Sequence, residues 1–209
     1  SGGVTLNSTG SGGSVAFGTS DSILRLPTIN AGNGIVMNGN VTTEQDATFN
    51  ADFDANGTGT FTIASGKALT STENKDFTIV SDDLNIVGTM SSGTGQTTIS
   101  TSDGGTIGLG GTTGNMTILA AELEKITAGT LNIGNNSTGN IIVDGITAAN
   151  SNNAAAVNLT TASASSVNFS NNNSTFNALT TNSGGASFGS GLTVTADTGK
   201  ITLNSTSIT

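Results

Sequence analysis

The sequence has no cysteine, histidine, tryptophan or tyrosine, a single proline, and charged side chains at only 9% of its positions. Each scarcity removes a class of chemistry. Without cysteine there is no disulfide framework, no thiolate nucleophile and no Cys-ligated zinc. Without histidine a serine nucleophile lacks its usual base. Lys and Arg number 5 against 14 Asp and Glu, giving a formal charge of -9, and Arg25, Lys67, Lys75, Lys125 and Lys200 are scattered along the chain. Nucleic acid and anionic membrane surfaces are bound by clustered cations, so neither is expected as a partner. No run has the length and apolarity of a transmembrane helix, and membrane insertion is not expected. No leader is recognisable from Ser1 onward, so an export signal is expected to lie outside this segment.

Ser, Thr, Asn, Ala and Gly fill most of the 209 positions. Such a composition suggests disorder only where charge and proline are abundant and β-branched residues few, and here the opposite holds. Short apolar alternations recur between turn-forming residues: Val4 and Leu6, Val15 and Phe17, Ile35 and Met37, Phe61 and Ile63, Leu131 and Ile133, Ile201 and Leu203. A period of two puts one side of each strand into a core and leaves Thr, Asn and Ser outside. Strand starts about 8 to 12 residues apart fit either an antiparallel sandwich or a parallel β-helix with about three strands per coil.

Internal echoes favour the second. The sequence TFNA occurs at residues 48–51 and again at 175–178, each followed 13 residues after its Thr by a Phe, Phe61 and Phe188, and later by Lys75 and Lys200. Residues 48–75 therefore resemble residues 175–200. VTLNST at 4–9 is echoed by ITLNST at 201–206, so the two ends look like equivalent points of an array. In a solenoid each coil needs only its neighbours to bury its apolar face, which is what such repetition provides. The expectation is all-β: one solenoid over residues 1–209, of roughly eight coils, with the eight Phe stacked in the core. Good helix formers in MTILAAELEKI, residues 116–126, predict one short helical excursion near 119–125.

The runs DDLNIVGTMSSGTGQTTIS, GGTIGLGG and AELEKITAGTLNIGNNSTGNIIVDGI, with GGASFGSGLTVTADTGKITLNS near the C-terminal end, resemble repeat units of large bacterial exoproteins of the filamentous haemagglutinin-like type. The stretch 82–146 carries most of the resemblance. It implies a right-handed parallel β-helix, an extracellular or cell-surface location and a structural or adhesive role, with no catalytic residue to carry over.

Candidate chemistry is sparse. In DFDANG, residues 52–57, Asp52, Asp54 and Asn56 are spaced like the first oxygen ligands of a calcium loop, and Gly57 takes the turn position. The twelfth position, where a bidentate Glu belongs, is Ile63, and the second TFNA unit has Leu179, Thr181 and Ser183 instead. The loop is thus at best an incomplete calcium candidate, and a plain acidic corner is the preferred reading; no other cofactor is expected. Asp82 with Asp83 and Glu122 with Glu124 are the other close carboxylate pairs. Neighbours along a strand face opposite sides, which separates Asp82 from Asp83. Glu122 and Glu124 could share a face if extended but sit beside apolar stacking positions rather than with residues that hold sugars, so both pairs read as solvated carboxylates and the chain as no enzyme. GLGG at 108–111 lacks the context of a phosphate loop. The acceptor triplets at Asn7, Asn136 and Asn173 are expected by chance in such a composition.

The leading expectation is the shaft of an extracellular fibre, continuing in both directions or docking copies of itself head to tail; the alternative is an adhesin recognising glycans or proteins on a host or neighbouring cell. Ice binding by a flat threonine array, suggested by Thr70 with Thr72 and Thr193 with Thr195, needs the same Thr-x-Thr pair on successive coils. The sequence displays no such regularity.

Overall fold

A computed structural model describes residues 2–209 as a parallel β-solenoid of about nine turns with two short helices. The axial rise of a parallel strand is about 4.8 Å, so nine turns form a rod on the order of 40 Å long. The count is one turn more than the sequence spacing predicts.

Three faces wind around one core. On the first, successive turns enter at Val4, Pro27, Ala47, Phe77, Thr97, Leu131, Val157, Leu179 and Ile201, all in parallel register. Turn length accordingly ranges from 20 to 34 residues, yet the strands stay aligned because the extra residues leave at the corners. Two positions on, Leu6, Ile29, Phe49, Ile79, Ile99, Ile133, Leu159, Thr181 and Leu203 form one inward column. From Ile29 to Leu159 every member is fully buried. The two end echoes meet here: Val4 and Ile201, Leu6 and Leu203, and Asn7 and Asn204 occupy equivalent positions of the first and last turns.

The second face stacks Val15–Phe17, Ile35–Met37, Thr60–Ile63 and Asp83–Ile86, and farther along Ile107–Gly110, Ile141–Asp144, Ser166–Phe169 and the end of Leu179–Phe188. The order is broken once. Met116–Ile118 pairs with Ile107–Gly110 on the side facing the earlier turns, and the backbone N–H of Thr117 donates to Asp83 Oδ1 at 2.9 Å. The chain thus steps back one rung. The step needs close backbone approach at two glycines: a Cβ on Gly108 would lie 2.5 Å from the Thr113 carbonyl carbon, and one on Gly114 would lie 2.4 Å from the Gly108 nitrogen.

The third face carries Ser22–Leu24, Val41–Thr43, Ala68–Ser71, Thr89–Ser91 and the start of Ile126–Ile133. Beyond them the helices take over. α1 spans Ala120–Leu123, inside the predicted excursion, and α2 spans Ala148–Ser151, which the sequence reading did not foresee. After α2 come the paired strands Ser174–Phe176 and Val194–Ala196. The first TFNA therefore lies along the first face and the second leads through the third, so the echo in sequence is not an echo of position in the coil.

The core is continuous and contains most of the phenylalanines. Phe49, Phe61, Phe77 and Phe176 are fully buried, Phe17 and Phe169 nearly so, and Phe169 stacks on Phe188 with ring centroids 5.0 Å apart. Phe53 departs from the expected pattern: it lies in the loop after the first-face strand and is 48% exposed.

Candidate functional site

The acidic loop at residues 52–57 is organised by its first member. Asp52 is buried; its Oδ1 accepts from the Asn56 N–H at 3.2 Å, and its Oδ2 from the Gly57 N–H at 3.1 Å and from Ser102 Oγ at 2.6 Å. These bonds hold the backbone through left-handed conformations at Ala55, φ 51°, and Gly57, φ 77°. An alanine there is disfavoured by its Cβ, a cost that the charge-assisted bonds to Asp52 offset. Asp54 Oδ2 accepts from Asn56 Nδ2 at 2.9 Å, and Asn56 Oδ1 accepts from Thr58 Oγ1. The three residues singled out from sequence do come together, as acceptors for the loop's own donors. No group of three or more His, Cys, Asp or Glu side chains among the described residues is arranged to hold a metal ion.

Asp52 also sets the field of the next corner. Burial raises the affinity of the Asp82 carboxyl for its proton above the ordinary aspartate value, and Asp52, Asp103 and Asp83 push it further in the same direction. Asp83, the first residue of the strand Asp83–Ile86, accepts from the Thr117 N–H, while Asp82 lies at the bend before it, outside the strand to which the alternation argument applies.

Glu122 is a correction to the sequence reading, which took it and Glu124 as solvated; Glu124 is exposed. Glu122 is buried, accepting from the Ile86 N–H through Oε1 and from the Leu119 N–H through Oε2, each at 2.9 Å. It supplies the acceptor that a neighbouring strand would have offered Ile86, at the place where the back-step and α1 interrupt the ladder. Burial raises its pKa, and the two N–H bonds oppose the shift. Glu124 Oε1 accepts from Asn150 Nδ2 at 2.6 Å, tying α1 to α2. Asp144, not singled out from sequence, does similar work one turn on. It accepts from Asn171 Nδ2 at 3.0 Å and from Asn172 Nδ2 and N–H at 2.9 and 3.1 Å, and these bonds, that of Asn171 foremost, hold its pKa below the ordinary range. For Asp144, a carboxylate at the end of a strand before a small-residue turn is the only signal the sequence held.

One open groove lies along the last turns, lined by Asn136, Thr161, Ser163, Asn182, Ser183 and Asn204. It is neutral, hydroxyl- and amide-rich, and free of aromatic rings. The groove's lining has no ionisable side chain, and at the acidic corner the Ser102 hydroxyl is bonded to a buried Asp52 carboxylate that also holds the loop's own N–H groups. The class that fold and surface define is a parallel β-solenoid whose polar side chains serve mainly its own corners. A scan of protein-family models and searches of curated proteins and of solved structures return no match to this chain.

Proposed function

We propose that this chain is a non-catalytic stretch of the shaft of an extracellular bacterial fibre, stiffened by axial β-ladders and extended by in-register stacking of coils. The observation that carries the reading is the equivalence of the first and last turns, where VTLNST and ITLNST stand in one column with Val4 over Ile201 and Leu6 over Leu203. Both end turns present apolar side chains and strand edges along the axis. Leu6, Ile23 and Leu26 are exposed at one end and Ile208 at the other. Uncovered edges of that kind are sites for further strand pairing, and a head-to-tail contact between them produces an open filament rather than a closed ring. More of the same chain or another copy satisfies the same geometry. The resemblance of residues 82–146 to haemagglutinin-like repeats supports the bacterial surface as the location.

Electron microscopy and fibre diffraction of the purified chain test the assembly. Rods with an axial repeat of about 4.8 Å are expected; discrete particles of fixed length at all concentrations contradict self-assembly. The adhesin alternative draws on the neutral groove beside Thr161 and Asn182, and it predicts saturable binding on a glycan array that is lost on Asn182→Trp.

A further inference from the structure

The first face has an outward column as regular as its inward one. Thr5, Thr28, Thr48, Thr78 and Thr98 stand in register over the first five turns. Asn132 and Asn158 continue the column, and Thr180 and Thr202 complete it. Beside it, two residues along each strand, runs a second column that begins Asn7, Asn30, Asn50 and ends Asn182, Asn204. Five of the nine turns thus present Thr-x-Asn at the same place. The regularity that the sequence hid lies along the strands of the first face, not at a corner, and pairs Thr with Asn rather than with Thr. Turns of 20 to 34 residues conceal it from any fixed-period search.

Three properties bear on what this face meets. First, the hydroxyls of Thr28, Thr48, Thr78, Thr180 and Thr202 have no hydrogen-bond partner among the described residues, whereas the amides beside them are fixed by their own ladder, Asn30 to Asn7 at 2.8 Å and Asn204 to Asn182 at 2.9 Å. Second, neither column contains a charged residue although the chain carries -9. Asp46 and Asp76, two residues before Thr48 and Thr78, accept from the backbone N–H groups of Asp76 and Gln96. Third, the face has no aromatic ring, the usual platform for a sugar. What remains is a grid of hydroxyls, methyls and amides repeating about every 4.8 Å along the axis and about every 6.7 Å across it, complete in turns one to three and in the last two, with Val80, Ser100 and Thr160 taking the amide position between them.

A neutral partner with its own periodic hydrogen-bonding groups fits that grid, and oxygen positions on the planes of crystalline water repeat at similar spacings. We infer that the Thr-x-Asn face binds ice. The binding is independent of end-to-end stacking and goes beyond the shaft reading.

Ice recrystallisation inhibition and thermal hysteresis, measured on the purified 209-residue chain, test it. The unsubstituted protein is expected to suppress recrystallisation and shape ice crystals. The double variant Thr48→Tyr, Thr78→Tyr is expected to lose the effect about tenfold, equivalent to about 1.4 kcal/mol. Thr62→Tyr, outward on the second face, is the matched control and is expected to retain the activity, with circular dichroism melts confirming that all three proteins fold. No inhibition by the unsubstituted protein overturns the inference, as does equal loss in the control. Loss of lateral bundling in the double variant without any ice effect also overturns it and assigns the face to contact between copies. Filament formation is scored separately, so failure of the shaft reading leaves these outcomes readable.

Discussion

Turns two to four and turns five and six solve the same problem by different means. From Pro27 to Ser81 each strand finds its successor in register, and backbone ladders with an apolar column satisfy most of the backbone. Between Gln96 and Ser151 the chain steps back a rung and inserts α1 and α2, so strand ends lose their neighbours. Buried carboxylates then act as substitutes: Glu122 for Ile86 and Leu119, Asp144 for the loop at Asn171 and Asn172. Apart from Asp52, the charged residues of the regular turns stay out of the core, whereas the interrupted stretch buries two carboxylates, because a buried N–H without an acceptor costs about 1–3 kcal/mol.

The comparison breaks first at the core column. Phe49→Ala is expected to cost about 3–5 kcal/mol through lost transfer energy and the cavity left behind, and denaturant melts that show less than about 1 kcal/mol would mean that neighbouring rungs collapse around the gap. Next in size, Asp144→Ala is expected to cost about 1–3 kcal/mol by stranding the Asn171 and Asn172 donors, with accelerated amide exchange confined to the loop near residue 172. Gly108→Ala belongs to the same range, about 1–3 kcal/mol, since its methyl group overlaps the Thr113 backbone at the back-step; a glycine in the regular turns without such contact, Gly66, has open space at its Cβ position but a positive φ.

How much of this was legible beforehand depended on the region. Period-two alternation at Ile35 and Met37 or Phe61 and Ile63 identifies strands directly, because burial alternates with the side-chain direction. The helical excursion at 120–123 was readable from its alanines and glutamates; α2 was not, since Ala148, Ala149, Asn150 and Ser151 resemble any turn in this sequence. Its stability comes from Thr147, whose Oγ1 accepts from the Asn150 N–H, while Asn150 Oδ1 accepts from the Thr147 N–H at 2.9 Å. At the acidic loop the residues Asp52, Asp54 and Asn56 were recognised, but not the partner: Ser102 lies 50 positions away.

Titration sharpens the contrast further. Asp144 has a folded pKa below its ordinary value of 3.8, so its stabilisation is complete above that pH and is lost as pH falls through the folded value. Glu122 has the opposite sign. Its folded pKa lies above 4.5, so its contribution is greatest below pH 4.5 and declines as pH rises through the folded value. Replacing Glu122 with Gln is expected to remove that decline from the pH–stability curve, and an unchanged slope contradicts the assignment. The smallest effect concerns the acidic loop. Calcium at millimolar concentration is expected to leave the melting temperature unchanged, because the Asp52 oxygens are already engaged; a calcium-dependent rise would mean that the loop reorganises into a ligand set.

Strand character, the apolar core, the absence of cysteine and histidine chemistry and the echo between residues 4–9 and 201–206 were written in the sequence, because each follows from local composition or from side-chain alternation. Tertiary structure alone decided which strands stack, that the chain retreats one rung at Met116, that Glu122 and Asp144 replace missing neighbours, and that threonines from turns of unequal length share one face. Those outcomes depend on register between residues 20 or more apart, and register is a property of the hydrogen-bonded stack rather than of any one of its strands.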